Sequence, residues 1–158
     1  MTSAISPRLI PFAPAMIPVA AVLHRAAFGG ESWDAKALGE ILAMPGAQGF
    51  FALGAQDQPL GFLLSLHVLD TAELLTLAID PACRRRGIGA ILVRKFLENA
   101  KHLGGTNAFL EVAADNIAAI SLYKCQGFVH EGYRRDYYDR GCNIRVDAYL
   151  FRHPLTQI

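Results

Sequence analysis

Arg84, Arg85, Arg86, Gly87, Ile88 and Gly89 carry the clearest chemical signal in the chain, lying between an apolar strand-like run and a long amphipathic pattern. A turn of this kind opens a helix. Its first backbone N–H groups have no carbonyl partners and share the positive end of the helix dipole, so a pyrophosphate is the natural ligand. Gly87 and Gly89 let anion oxygens approach those donors and permit a tight backbone path. The arginines add charge at the rim. A solvated basic first turn of an ordinary helix fits the same composition. The two common nucleotide fingerprints do not fit. A Walker loop needs Lys and then Ser or Thr after its last glycine, where this chain has Ala90 and Ile91. A dinucleotide turn needs a third glycine, which is missing.

Residues 110–128 form a second constellation, LEVAADNIAAISLYKCQGF. Glu111 alternates with Leu110 and Val112 on a strand pattern, so it faces away from the apolar layer those two join. Taken alone it reads as a surface glutamate in a salt bridge. Tyr123 follows Asn116 by seven residues, two helical turns, which puts both on one face. Taken alone, a tyrosine in an apolar helix reads as core with its hydroxyl satisfied.

The first string matches the Arg/Gln-x-x-Gly-x-Gly/Ala signature of the GNAT superfamily of N-acetyltransferases. The second resembles the RimI type within it, whose pattern is close to LEVRxSNxxAxxLYxxxGF. The resemblance extends over residues 73–151. It implies that the acetyl-CoA pyrophosphate lies on Arg84, Arg85, Arg86, Gly87, Ile88, Gly89 and Ala90. Backbone groups of Leu77, Ala78 and Ile79 would bond the pantetheine and acetyl carbonyl in a gap between two splayed strands. Asn116 would bond the same ligand. Glu111 would be the general base and Tyr123 the acid that protonates the departing thiolate. Glu73, on the strand before the turn, is the rival base and lies toward the acceptor.

An amine attacks a thioester only when neutral, and an N-terminal amine has a reference pKa about 2.5 below that of lysine, so deprotonating it costs about 3 kcal/mol less. A modest base therefore suffices. No covalent enzyme intermediate is required, and positioning two substrates in a ternary complex drives transfer. Arg134, Tyr137 and Tyr138 belong to a polar, aromatic stretch, residues 134–141, read as the connection of a final strand pair. A solvated hairpin tip fits that composition equally. The resemblance makes it the acceptor clamp, for a protein or peptide N-terminus such as the N-terminal alanine of a small-subunit ribosomal protein. Ala113 and Asp115 depart from the RimI pattern, which has arginine and serine there. A small-molecule or lysine acetyltransferase, or a non-catalytic acyl-CoA sensor, are the alternatives; the sensor has no use for Glu111 or Tyr123.

The elements that must hold these residues follow from periodicity. Residues 8–12 read as a strand, followed by a helix begun by Pro14 and ended by Gly29 and Gly30. Ser32 and Trp33 open a second helix through Met44. Residues 49–55, 60–69 and 73–79 read as strands. Ile88, Ile91, Leu92, Phe96, Ala100 and Leu103 then mark the strongest helix, at spacings of three and four. A strand over 107–113, a helix over 116–126 and strands over 128–133 and 144–151 complete the chain. The fold class expected is α/β (α+β), a mixed, mostly antiparallel sheet with helices on both faces, as in the GNAT fold.

With 158 residues, 53% hydrophobic and 18% charged, the chain suits one acetyltransferase domain over residues 1–158. A net charge of +1 offers no electrostatic footprint for nucleic acid. Residues 9–23 are apolar but too few to span a bilayer, and Pro11, Pro14 and Pro18 interrupt them. No membrane partner is expected. Cys83, Cys125 and Cys142 are odd in number and far apart, which favours reduced thiols in the cytoplasm. Cys83, beside three arginines, is read as packed or exposed, with a reactive thiol as the alternative. His24, His67, His102, His130 and His153 show no metal or triad spacing and are read as surface or core. A monomer or homodimer is expected.

Overall fold

The computed structural model describes residues 6–156. Its elements are β1 (Arg8–Pro11), α1 (Ile17–Phe28), α2 (Ala35–Leu42), β2 (Ala47–Leu53), β3 (Pro59–Val68), β4 (Thr71–Ile79), α3 (Ile88–His102), β5 (Asn107–Ala113), α4 (Ile117–Cys125), β6 (Val129–Asp139) and β7 (Arg145–Pro154). This is the element order read from the sequence. The strands form one sheet in the order β1-β2-β3-β4-β5-β7-β6. Every neighbouring pair is antiparallel except β4 and β5. No helix among the described residues is long and apolar enough to cross a membrane.

The period-2 pattern of the strands sorts side chains onto two cores. On one face, Leu92, Val93 and Phe96 of α3 pack with Leu63, Leu74, Leu110 and Val112. On the other, Ala20 and Leu23 of α1 and Leu38 of α2 pack with Phe51, Phe62, Leu64 and Ala78. Local signals stop and start the helices. Asp34 caps α2 by accepting from the Ala37 N–H at 2.9 Å. Pro18 lies in the first turn of α1, where its missing N–H costs nothing, so the apolar run of residues 9–23 becomes strand, short turn and helix.

Two irregularities shape the site. In β4, Thr76 pairs with Leu64 and Leu74 with Ser65, leaving Leu75 as an extra residue. Such a bulge bends its strand and increases twist. The parallel pairing of β4 with β5 covers only Thr71 to Leu74 against Asn107 to Leu110. Beyond it, β4 stays paired to β3 as far as Ile79, and β5 to β7 as far as Ala113. Each strand keeps its outer partner, so the two part. The expected splay is present, and a bulge sits at its apex.

The second irregularity corrects an expectation. Residues 134–139 are strand rather than connection, because β6 runs on to Asp139 and the turn lies beyond it. Register slips between Arg134, opposite Ala148, and Tyr138, opposite Val146. Asp136 takes φ of 51° within this second bulge, and its N–H donates to Asp147 Oδ1 at 2.8 Å. A non-repeating insertion in a strand leaves no periodic mark, so composition alone suggests a loop.

Candidate active site

A cavity of about 860 Å³ runs from the glycine turn through the splay to β6. At one end are Arg84, Arg85, Gly87, Ile88, Gly89 and Ala90. Ile91 N–H is the first to bond within α3, to Gly87 O at 3.1 Å, so the N–H groups of Ile88, Gly89 and Ala90 precede the intrahelical ladder. Gly87 has φ of 80°, a conformation that favours glycine. Gly89 serves proximity instead: a Cβ there would sit 3.1 Å from Leu122 Cδ2. Arg84 braces the turn by donating to Ala27 O at 3.3 Å. Arg86 is exposed and lies outside the cavity lining. Cys83 is buried in the α3-side core, so the packed reading describes it.

The splay leaves one edge of β4 open. Asp80 N–H donates to Leu60 O at 2.9 Å, and alternation from that bond directs the main-chain groups of Ala78 toward β3. Those of Leu77 and Ile79 then face the gap. Leu77 and Ile79 also line the cavity, whereas Ala78 is fully buried in the α1/α2-side core. Of the three residues expected to bond the pantetheine, Leu77 and Ile79 turn their main-chain groups to the gap and Ala78 turns its own to β3. An anion cradle joined to an unpaired strand edge by one continuous cavity fits a pyrophosphate carrying a long amide-bearing arm.

Glu111 lines this cavity from β5. Leu110 and Val112 belong to the α3-side core, so Glu111 faces the α1/α2 side, as its alternation requires. Its Oε1 lies 3.0 Å from Arg134 Nη2. The salt bridge and a position in the cleft coexist. Glu73 is exposed on β4 opposite Phe109 and outside the cavity lining. Partial desolvation and the Glu111 charge raise its pKa, while Arg134 pulls it back. Two carboxylates and a guanidinium therefore share the apex of the splay, with Glu111 the member that reaches the cavity.

Tyr123 lies on the opposite side of the sheet, in the α3-side core, 6% exposed and lining the cavity. Its ring meets Phe128 edge-on at 5.8 Å. Burial, and secondarily Tyr138, hold its pKa well above that of a free phenol, so its proton stays on at neutral pH. Asn116 has a structural duty the sequence did not reveal. Its Oδ1 caps α4, accepting from Ala119 N–H at 3.2 Å, which leaves Nδ2 for a ligand in the cavity it lines.

The β6 bulge turns Tyr137 and Tyr138 into the cavity, edge to face at 5.1 Å. The Arg134 guanidinium lies 5.4 Å from the Tyr137 ring. Arg140, in sequence no more than a member of the polar stretch, binds three elements together. It pairs with Asp115 at 3.0 and 3.2 Å, pairs with Glu31 of the α1–α2 connection, and lies over Tyr138 at 5.2 Å. The Asp115 departure from the RimI pattern thus has a partner. His24, Phe28, Trp33 and Thr76 complete the α1/α2 wall. Sequence reasoning missed them because isolated residues on separate elements share no spacing.

A family model described as the Acetyltransferase (GNAT) family matches residues 19–128. The [ribosomal protein bS18]-alanine N-acetyltransferase of Salmonella typhimurium is 40% identical over 104 residues, 66% of this chain and 70% of that protein. The Escherichia coli protein of the same name is 34% identical over 106 residues, 67% and 71% of the two chains. A crystal structure of the ribosomal-protein-S18-alanine N-acetyltransferase from Escherichia coli superposes with a TM-score of 0.88 at 26% identity, covering 97% of this chain and 96% of that one. With the glycine turn, the splay, and Glu111 and Tyr123 on one cavity, the chain belongs to the acetyltransferase (GNAT) family and is an acetyl-CoA-dependent N-acetyltransferase.

Proposed function

We propose that the acceptor is the N-terminal α-amine of a protein or peptide, acetylated by direct attack in a ternary complex. One observation carries the assignment: the cavity is continuous across the sheet, with Glu111 on one face and Tyr123 on the other. A base on the acceptor side and an acid on the thiol side suit a reaction in which an amine enters from one face and a thiolate leaves toward the other.

Glu111 takes a proton from the attacking nitrogen, directly or through a water. The Leu77 and Ile79 main chain orients the thioester arm along the open edge of β4. As the new C–N bond forms and the C–S bond breaks, Tyr123 donates its phenolic proton to sulfur, and solvent later returns a proton to Tyr123 and removes one from Glu111. Arg134 orients the Glu111 carboxylate. Tyr137 and Tyr138 offer flat surfaces against which an extended acceptor segment can lie. Relatives named for alanine N-acetylation of ribosomal protein bS18 support a ribosomal-protein acceptor. A cytoplasmic location accords with the free thiols, and the near-neutral charge offers no footprint for nucleic acid.

The test is an acetylation screen with peptides varying the first three residues, alongside a lysine peptide with a blocked N-terminus. Transfer to free N-termini, with a preference set by the first residues, is the expected result. Transfer to the blocked lysine peptide alone would overturn the acceptor assignment, and acetyl-CoA binding without turnover on any amine would leave a sensor in its place.

A further inference from the structure

His24 is a buried titratable group with no part in the proton transfers above. It is 2% exposed on α1, stacked between Phe28 at 4.4 Å and Trp33 at 5.1 Å. Both ring nitrogens are occupied. The Trp33 backbone N–H donates to Nδ1 at 2.9 Å, and Nε2 lies 3.0 Å from Thr76 Oγ1. A backbone N–H can only donate, so Nδ1 must be the acceptor nitrogen and the proton of the neutral ring sits on Nε2. Nε2–H therefore donates to Thr76. This fixes the hydroxyl as well, because an oxygen that accepts from His24 turns its own hydrogen elsewhere. Among the described residues no hydrogen bond takes that hydrogen.

Thr76 occupies a particular place. It follows the Leu75 bulge at the apex of the splay and lines the cavity. It shares with Ala78 the alternation that faces α1 and α2, the side on which Glu111 lies. A donor there addresses whatever occupies the acceptor side. A thioester arm bound along the open edge of β4 would lie in the plane of the sheet, and its carbonyl with it. A side chain standing perpendicular to the sheet aims past that edge at the incoming substrate.

We propose that Thr76 is a hydrogen-bond donor to the first peptide carbonyl of the acceptor, and that His24 is the positioning residue that holds its hydroxyl in the donating orientation. The inference rests on the N-terminal acceptor reading. One hydrogen bond to that carbonyl orients the free amine beside Glu111 and favours acceptors that carry an amide one residue in. An amine lacking that carbonyl forgoes the contact.

The experiment compares two acceptors, a peptide and the same peptide with its first amide replaced by an (E)-alkene, on wild-type enzyme and four variants. The wild type should favour the amide by roughly five- to tenfold in kcat/KM, the range expected for one hydrogen bond. Thr76→Val keeps the shape without the hydroxyl and should reduce that preference to within twofold, with the KM for acetyl-CoA unchanged. His24→Leu should do the same. Thr76→Ser and His24→Gln, whose amide can accept from Trp33 and donate to Thr76, should restore it. A preference equal in wild type and Thr76→Val would overturn the proposal, as would an equal loss on both acceptors. Failure of the wild type to acetylate either amine would instead overturn the N-terminal reading, and this inference with it.

Discussion

Protonation of His24 sets two donors against each other, since an imidazolium would carry hydrogen on Nδ1 where the Trp33 N–H already points. Burial pushes the His24 pKa down from 6.5 to about 4. The folded-state value is depressed, so this group's stabilisation is fully present above about pH 6.5 and is lost as pH falls toward 4, because the unfolded chain takes up the proton first. At about 1.4 kcal/mol for each pH unit between the two values, the loss is about 3 kcal/mol. For a chain of this size that corresponds to about 6 to 12 °C in melting temperature. The perturbation is His24→Gln, which preserves both hydrogen bonds and cannot titrate. Urea unfolding from pH 4 to 7 is the assay. Carboxylates contribute to both proteins alike, so the wild-type curve should fall about 3 kcal/mol further than the variant's over that range. Parallel curves would refute the assigned tautomer and the neutral burial of the ring.

Tyr123→Phe keeps the ring against Phe128, so thermal stability should change by less than about 1 kcal/mol while kcat falls roughly a hundredfold; stopped-flow release of free thiol reads the step, and an unchanged kcat would remove the acid role. Glu111→Gln should cut kcat/KM by a similar factor, most severely at low pH where less amine is neutral, and a full rate in a pH profile would move the base to Glu73. In Gly89→Val the added branches must displace Leu122, whose Cδ2 would sit 3.1 Å from Cβ alone, so acetyl-CoA affinity by calorimetry should weaken at least tenfold. Arg140→Met leaves Glu31 and Asp115 without their shared cation; these carboxylates are half-exposed, so the melting temperature should drop only about 2 to 4 °C at low salt, with the gap closing in 1 M salt.

Local chemistry makes the ligand end of the site legible. A positive-φ glycine, a helix start and an alternating strand are decided within a few residues, so the immediate neighbours of Gly87, Gly89, Glu111 and Tyr123 in the chain assign each of them to an element and a face. The acceptor end is not legible in that way. Tyr137 and Tyr138 reach the cavity through a bulge that breaks the strand period, and a reading by period mistakes the segment for a loop. Asn116 has the spacing of a ligand residue and is also a helix cap, since one amide has separate groups for each duty.

The sequence by itself determined the element order, the two apolar layers, the glycine turn that opens a helix and the faces of Glu111 and Tyr123, because these follow from periods of 2 and 3.6 and from backbone stereochemistry. Only the tertiary structure decided that β4 and β5 part after Leu74 and Leu110, that Leu77 and Ile79 rather than Ala78 face the gap, and that His24, Thr76 and Trp33 meet. It also decided that Arg140 joins Asp115 to Glu31, which lies 109 residues from Arg140 along the chain. Such meetings depend on how bulged strands twist and how separate helices dock on them, and those are properties of the packed whole that no short window of residues encodes.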